Sequence, residues 1–147
     1  MDYRPRGSMS PVPGLRFHHV GIAVGSLTRH LDRFGALLGA ALDRGGTDRK
    51  LDAEWRWLSL PDGAVIELIA PLGMPEGPIR RYLDRRGEGL HHISFEAPDL
   101  EGAMEHVRAL GEEPRWIDRD HGGYEEFFLD PARFGGVLVH AFRELGS

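Results

Sequence analysis

Two stretches of this chain open on paired histidines and then alternate apolar positions with others. His18-His19-Val20-Gly21-Ile22-Ala23-Val24 and His91-His92-Ile93-Ser94-Phe95-Glu96-Ala97 begin 73 residues apart, and a two-residue period marks a half-buried strand. A helix start follows each in register. Ser26 precedes Leu27 and Asp99 precedes Leu100, and both side chains can accept hydrogen bonds from the free N–H groups of a first turn. Leu27, Leu31, Phe34, Leu37 and Leu38 form one apolar stripe, and Leu100, Met104, Val107 and Leu110 form another. They predict helices over 27–38 and 100–110, the second ended by Gly111.

Strand-like segments come next in both halves. Trp55, Trp57 and Ser59 alternate with Arg56 and Leu58, Pro61-Asp62-Gly63 reads as a turn, and Ala64 to Ile69 is a closing strand. In the second half Phe127-Phe128-Leu129 runs into Asp130-Pro131, Gly135-Gly136 and a closing strand over 137–142. The 73-residue offset that relates His19 to His92 also relates Glu67 to His140. The same offset at both ends identifies one βαβββ module used twice, over 17–72 and 90–143, in an α+β chain. Between the modules, 77–88 reads as a linker helix with Ile79, Tyr82 and Leu83 turned inward. Residues 1–14, with three prolines, read as a flexible tail, and 15–147 as a single domain.

Composition narrows the function classes. No cysteine is present, so disulfides and thiolate metal sites are excluded, which fits a cytoplasmic protein. A formal charge of −5 argues against a nucleic-acid partner. No apolar run reaches the roughly 18 residues of a membrane span, and the N-terminal stretch lacks the apolar segment of a secretory signal.

Four polar residues carry the candidate chemistry. His19 opens the first strand of one module and Glu67 lies in its last strand; His92 and His140 take the same places in the other, 48 residues apart in each case. If first and last strands lie side by side and a pseudo-twofold relates the modules, all four converge. Imidazole and carboxylate donors suit zinc, iron, nickel, cobalt or manganese. Glu67 sits in Val65-Ile66-Glu67-Leu68-Ile69, and a carboxylate in such a strand wants a partner or a metal. Each histidine alone reads as a hydrogen-bonded core residue; the twofold pattern is what points to a cation. His18 and His91 are expected to face away from it, because strand neighbours point to opposite sides. His30 and His106 read as solvated helix residues. His121, in a loop beside Gly122-Gly123, is within conceivable reach of a substrate.

These stretches resemble the vicinal oxygen chelate superfamily, which includes glyoxalases, extradiol dioxygenases, bleomycin resistance proteins and methylmalonyl-CoA epimerases. The epimerase branch is the nearest likeness, on His19-Val20-Gly21-Ile22-Ala23-Val24, Ile66 to Gly73, Gly87-Glu88-Gly89-Leu90-His91-His92-Ile93 and Gly135 to Val139. The resemblance implies a cupped, mixed eight-stranded glyoxalase-like sheet around a divalent metal held by His19, Glu67, His92 and His140. It further implies a homodimer and an isomerase or epimerase that moves the α-proton of a small carboxylic acyl thioester, an acyl-CoA being one form of it. Other activities of the superfamily are a glyoxalase-type isomerase, a lyase, a non-haem iron oxygenase and a binding or resistance protein without turnover. The chain departs from the epimerase pattern in two places. His140 stands where epimerases carry a glutamate, and the other family glutamate aligns on or beside Trp55, with Glu54 adjacent. Glu54 and His140 are therefore the expected bases, although a metal-bound His140 nitrogen has no lone pair left for a proton.

Overall fold

The computed structural model describes residues 11–146; most of the expected N-terminal tail lies outside the described residues. The first module runs β1 (Arg16–Ala23), α1 (Leu27–Leu38), β2 (Ala41–Asp48), β3 (Ala53–Ser59) and β4 (Val65–Pro71). Helix α2 (Pro78–Arg86) connects it to β5 (Gly89–Glu96), α3 (Leu100–Ala109), β6 (Arg115–Asp118), β7 (Tyr124–Leu129) and β8 (Leu138–Glu144). The repeat is borne out. Two strands give no clear alternation in sequence: β2, Ala-Leu-Asp-Arg-Gly-Gly-Thr-Asp, and the four-residue β6. Both are edge strands, held by pairing with β3 and β7 rather than by a buried face of their own.

The eight strands form one mixed sheet in the order β2-β3-β4-β1-β5-β8-β7-β6. First and last strands of each module pair in parallel, β1 with β4 and β5 with β8. The modules join by the antiparallel pairing of β1 with β5. Order and pairing in one half are the twofold image of those in the other, as the offset predicts.

One face of the sheet is packed by helices. Leu27 on α1 covers Val24, Leu58, Leu68 and Ala70, while Leu100, Ala103 and Met104 on α3 cover Phe127, Leu129 and Ala141. Leu58, Leu68, Leu100 and Met104 are almost fully buried, each stabilising the fold by about 1.5–3 kcal/mol of apolar burial. Asp99 caps α3 through the Gly102 N–H at 2.9 Å. Ser26 occupies the corresponding place at α1 but makes no side-chain cap bond. The alternate residues of the same strands, among them His19, Trp57, Glu67, His92 and His140, face the other, concave side. There α2 places Ile79 against Ala23, Ala53 and Ile69 and closes one end.

Candidate functional site

The four residues that share the repeat offset meet on this concave face. In the parallel ladders Gly21 lies opposite Glu67 and Ser94 opposite His140. Across the twofold, His19 lies opposite Ser94 and Gly21 opposite His92. Four adjacent strands thus aim His19, Glu67, His92 and His140 at one cavity, and all four are buried. His19 Nε2 and His92 Nε2 are 3.3 Å apart. The Glu67 carboxylate straddles them, Oε2 3.4 Å from His19 Nε2 and Oε1 3.4 Å from His92 Nε2. One ring nitrogen from each of His19, His92 and His140 lies within 4.8 Å of the others.

The neighbours hold this arrangement. A Cβ at Gly21 would fall 2.1 Å from His92 Cε1, so the ring occupies space that only glycine leaves open. The residue equivalent to Gly21 in the second module is Ser94, whose Oγ lies 2.7 Å from His140 Nδ1. Trp57 Nε1–H donates to Glu67 Oε2 at 2.7 Å. The expectation that His18 and His91 face away is overturned. The β1–β5 register skips one residue in each strand, His18 in β1 and His91 in β5. A β-bulge suspends the alternation of sides, and each histidine turns in beside its neighbour. His18 Nδ1 lies 2.8 Å from His19 Nδ1, and His91 Nδ1 lies 2.8 Å from His92 Nδ1.

Burial sets the electrostatics. It pushes the Glu67 carboxyl up to about 8, with the Trp57 hydrogen bond opposing and the nearby Glu126 and Asp48 charges adding to the rise. Burial also takes His19 down to about 2, helped by His140 and His18, and holds His92 well below the ordinary imidazole range. Both imidazoles are therefore neutral, and their Nε2 atoms face one another across 3.3 Å. Two donors about 2.0–2.1 Å from a tetrahedral cation stand about 3.3–3.4 Å apart. The spacing and the donor chemistry fit a divalent cation, whose charge would reverse the Glu67 shift.

Glu54, expected as a base, is not brought into the cavity. Two-residue alternation along β3 turns Trp55 and Trp57 inward, and they line the cavity. Glu54 points to the helix side, 3.6 Å from Arg56. His140 does reach the cavity, with Nδ1 facing Ser94 and Nε2 2.7 Å from Glu126 Oε2. Glu126 thus brings a carboxylate from β7 up to His140, the β8 position where the resemblance expects a glutamate. A second cluster adjoins it: ligand atoms of Asp48, His121 and Glu126 lie within 4.8 Å of one another, with His121 Nε2 3.1 Å from Asp48 Oδ2. Asp48 and His121 are 73 residues apart, so the repeat offset itself could have paired them. Glu126 has no such signal, because its module-one counterpart, Ala53, carries no chemistry.

The family model that matches this chain, over residues 18–126, is described as the glyoxalase/bleomycin resistance protein/dioxygenase superfamily. An uncharacterized Bacillus subtilis protein, YqjC, is 30% identical over 140 residues, covering 90% of this chain and 94% of that one. The ethylmalonyl-CoA/methylmalonyl-CoA epimerase of Cereibacter sphaeroides is 32% identical over 131 residues, covering 84% and 94%. Among solved structures, the methylmalonyl-CoA epimerase of Mycobacterium tuberculosis superposes with a TM-score of 0.81 at 26% identity over 88% of each chain. The family match takes in the first module and most of the second, and the chain belongs to the glyoxalase/bleomycin resistance protein/dioxygenase superfamily.

Proposed function

We propose that this chain is a divalent-cation-dependent isomerase that moves the proton on the α-carbon of a carboxylic acyl thioester, as an epimerase does. The observation that carries the reading is the pair of neutral, buried imidazoles 3.3 Å apart with a carboxylate across them. It is supported by the 32% identity to an epimerase of ethylmalonyl-CoA and methylmalonyl-CoA. His19, Glu67 and His92 would hold the cation, with His140 as the fourth donor. When bound, the cation supplies a Lewis acid for the charge that develops on a carbonyl oxygen as a neighbouring proton leaves.

Proton transfer then falls to groups in the cavity that are not committed to His19, Glu67 and His92. His121, 3.1 Å from Asp48, and Glu126, 2.7 Å from His140, are two of those groups. Trp55, Trp57, Phe128 and Phe142 wall the rest of the cavity and keep bulk water from a carbanion-like centre.

A groove leads out of the cavity and suits a long thioester. The wider part, about 510 Å³, shares Leu51, His91 and Phe128 with the cavity and adds Ile79, Trp116 and Leu138. It continues to a rim that carries Arg81, Arg85 and Arg86 of α2. A channel lined by apolar side chains together with Asp48, Lys50, Asp118 and Glu126, and ending in three guanidinium groups, is long enough and polar enough at its rim for a pantetheine arm ending in phosphates. The test is deuterium wash-in at the α-carbon of methylmalonyl-CoA in heavy water with cation-loaded protein. Exchange well above a cation-stripped control supports the reading, and exchange no faster than that control refutes it.

The two histidines and one carboxylate at His19, His92 and Glu67 also make the donor set of non-haem iron oxygenases, which is the second reading. Metal analysis of untreated protein separates the two, iron favouring oxygenase chemistry and cobalt, manganese, nickel or zinc favouring isomerisation.

A further inference from the structure

Two of the histidines assigned to the cation, His19 and His92, each have a second histidine immediately before them, and β-bulges turn both of those inward. The two pairs are related by the repeat offset and have the same geometry, Nδ1 to Nδ1 at 2.8 Å. Two neutral imidazoles joined through their Nδ1 atoms share one proton, so one ring donates and the other accepts. A ring that offers its Nε2 lone pair to a cation carries its proton on Nδ1. The Nε2 atoms of His19 and His92 are the ones that face each other, so these two rings are the donors. His18 and His91 are then the acceptors, and in the neutral state each carries its own proton on Nε2.

We propose that His18 and His91 are the positioning residues of the cation centre, each accepting the Nδ1–H of the ligand that follows it and so setting its tautomer and ring plane. The partner usual in such centres is a carboxylate or a backbone carbonyl. A neutral imidazole acceptor draws less electron density onto the ligand, which leaves more positive charge on the cation. The surroundings match that role. His18 packs against the rings of Trp57 and Phe142, with centroids 4.6 and 5.0 Å away, and His91 against the Tyr82 ring at 4.7 Å. His91 has a second consequence for the same site. It lines both the cavity and the groove, and its Nε2, which has no hydrogen-bond partner among the described residues, is not among the buried unpartnered atoms. The ring therefore presents an N–H donor to the groove, suited to a carbonyl oxygen of a bound thioester.

The proposal rests on His19 and His92 as cation ligands and does not depend on which reaction follows. Two measurements on the full chain test it. Imidazole ¹⁵N spectra of cation-free wild type should show Nδ1–H at His19 and His92 and Nε2–H at His18 and His91; the reverse assignment in either pair overturns it. Cobalt(II) titration calorimetry should show about 10- to 100-fold weaker binding in His18→Phe and His91→Phe. His18→Asn and His91→Asn, whose amide oxygen can accept at the Nδ1 position, should stay near wild type. Equal weakening in the Asn and Phe variants, or none in either, overturns the proposal. Failure of wild type to bind cobalt at all would refute the cation reading itself, whereas reversed tautomers with intact cobalt binding refute only the positioning role.

Discussion

Replacing Gly21 with alanine adds one methyl group at the point where the two modules meet. That carbon would lie 2.1, 2.4 and 2.5 Å from Cε1, Nδ1 and Nε2 of His92, whereas non-bonded carbon contacts settle at about 3.5–4.0 Å. The backbone can give little, because Gly21 is paired on one side with Glu67 and on the other with His92 itself. The ring must therefore retreat by more than about 1 Å, given the contact distances of packed carbon atoms. A displacement of that size removes His92 Nε2 from a bond length of about 2.0–2.1 Å, so cation affinity should fall at least about 100-fold, the upper end of what loss of an orienting neighbour alone causes. Overpacking should also cost about 1–3 kcal/mol of stability, with each kcal/mol lowering Tm by about 2–4 °C in a domain of this size. Cobalt titration calorimetry and thermal melts measure both. Gly25→Ala is the control, because its added carbon meets only a carboxylate oxygen at 3.8 Å. Wild-type cation affinity in Gly21→Ala would refute the argument that this glycine makes room for a ligand.

Four further outcomes are expected. His92→Ala should abolish stoichiometric cation binding while circular dichroism stays close to wild type; a retained equivalent of metal would remove His92 from the centre. His121→Gln should slow α-proton exchange about 100-fold or more at unchanged cation content, and a wild-type exchange rate would exclude it as an acid or base. Trp57→Phe removes the bond to Glu67 Oε2, so it should cost about 1–3 kcal/mol, raise the Glu67 pKa further and weaken cation binding at neutral pH; unchanged melts and isotherms contradict this. The pH dependence of cation-free stability has two limbs. His19 falls from 6.5 to about 2 on folding, so its contribution is present above pH 6.5 and is lost as pH drops. Glu67 rises from 4.5 to about 8, so its contribution is present below pH 4.5 and is lost as pH climbs to 8. With His92 shifted in the same direction as His19, stability from these groups should peak near pH 6.5, and Glu67→Gln should flatten the decline towards pH 8 in pH-resolved melts.

The sequence by itself determined the repeat, because a two-residue strand period, a helical stripe and a cap recur locally at one offset. That periodicity was enough to place β1, α1, β4, β5, α3 and β8, and with them His19, Glu67, His92 and His140 on equivalent rungs of two modules. It did not place β2 and β6, whose residues other than Asp48 and Asp118 mostly face solvent and which are held chiefly by pairing with one neighbouring strand. Register was the other quantity that only the tertiary structure decided. One-residue bulges in the β1–β5 pairing turned His91 into the cavity and His18 in beside His19 against simple alternation, and the phase of β3 turned Trp55 and Trp57 in and Glu54 out. Glu126 joined the site because β7 lies beside β8 and sets its carboxylate 2.7 Å from His140 Nε2. Periodicity is local and survives in a linear string. The sign of a strand's phase, and the partner across the sheet, exist only once the two modules have paired.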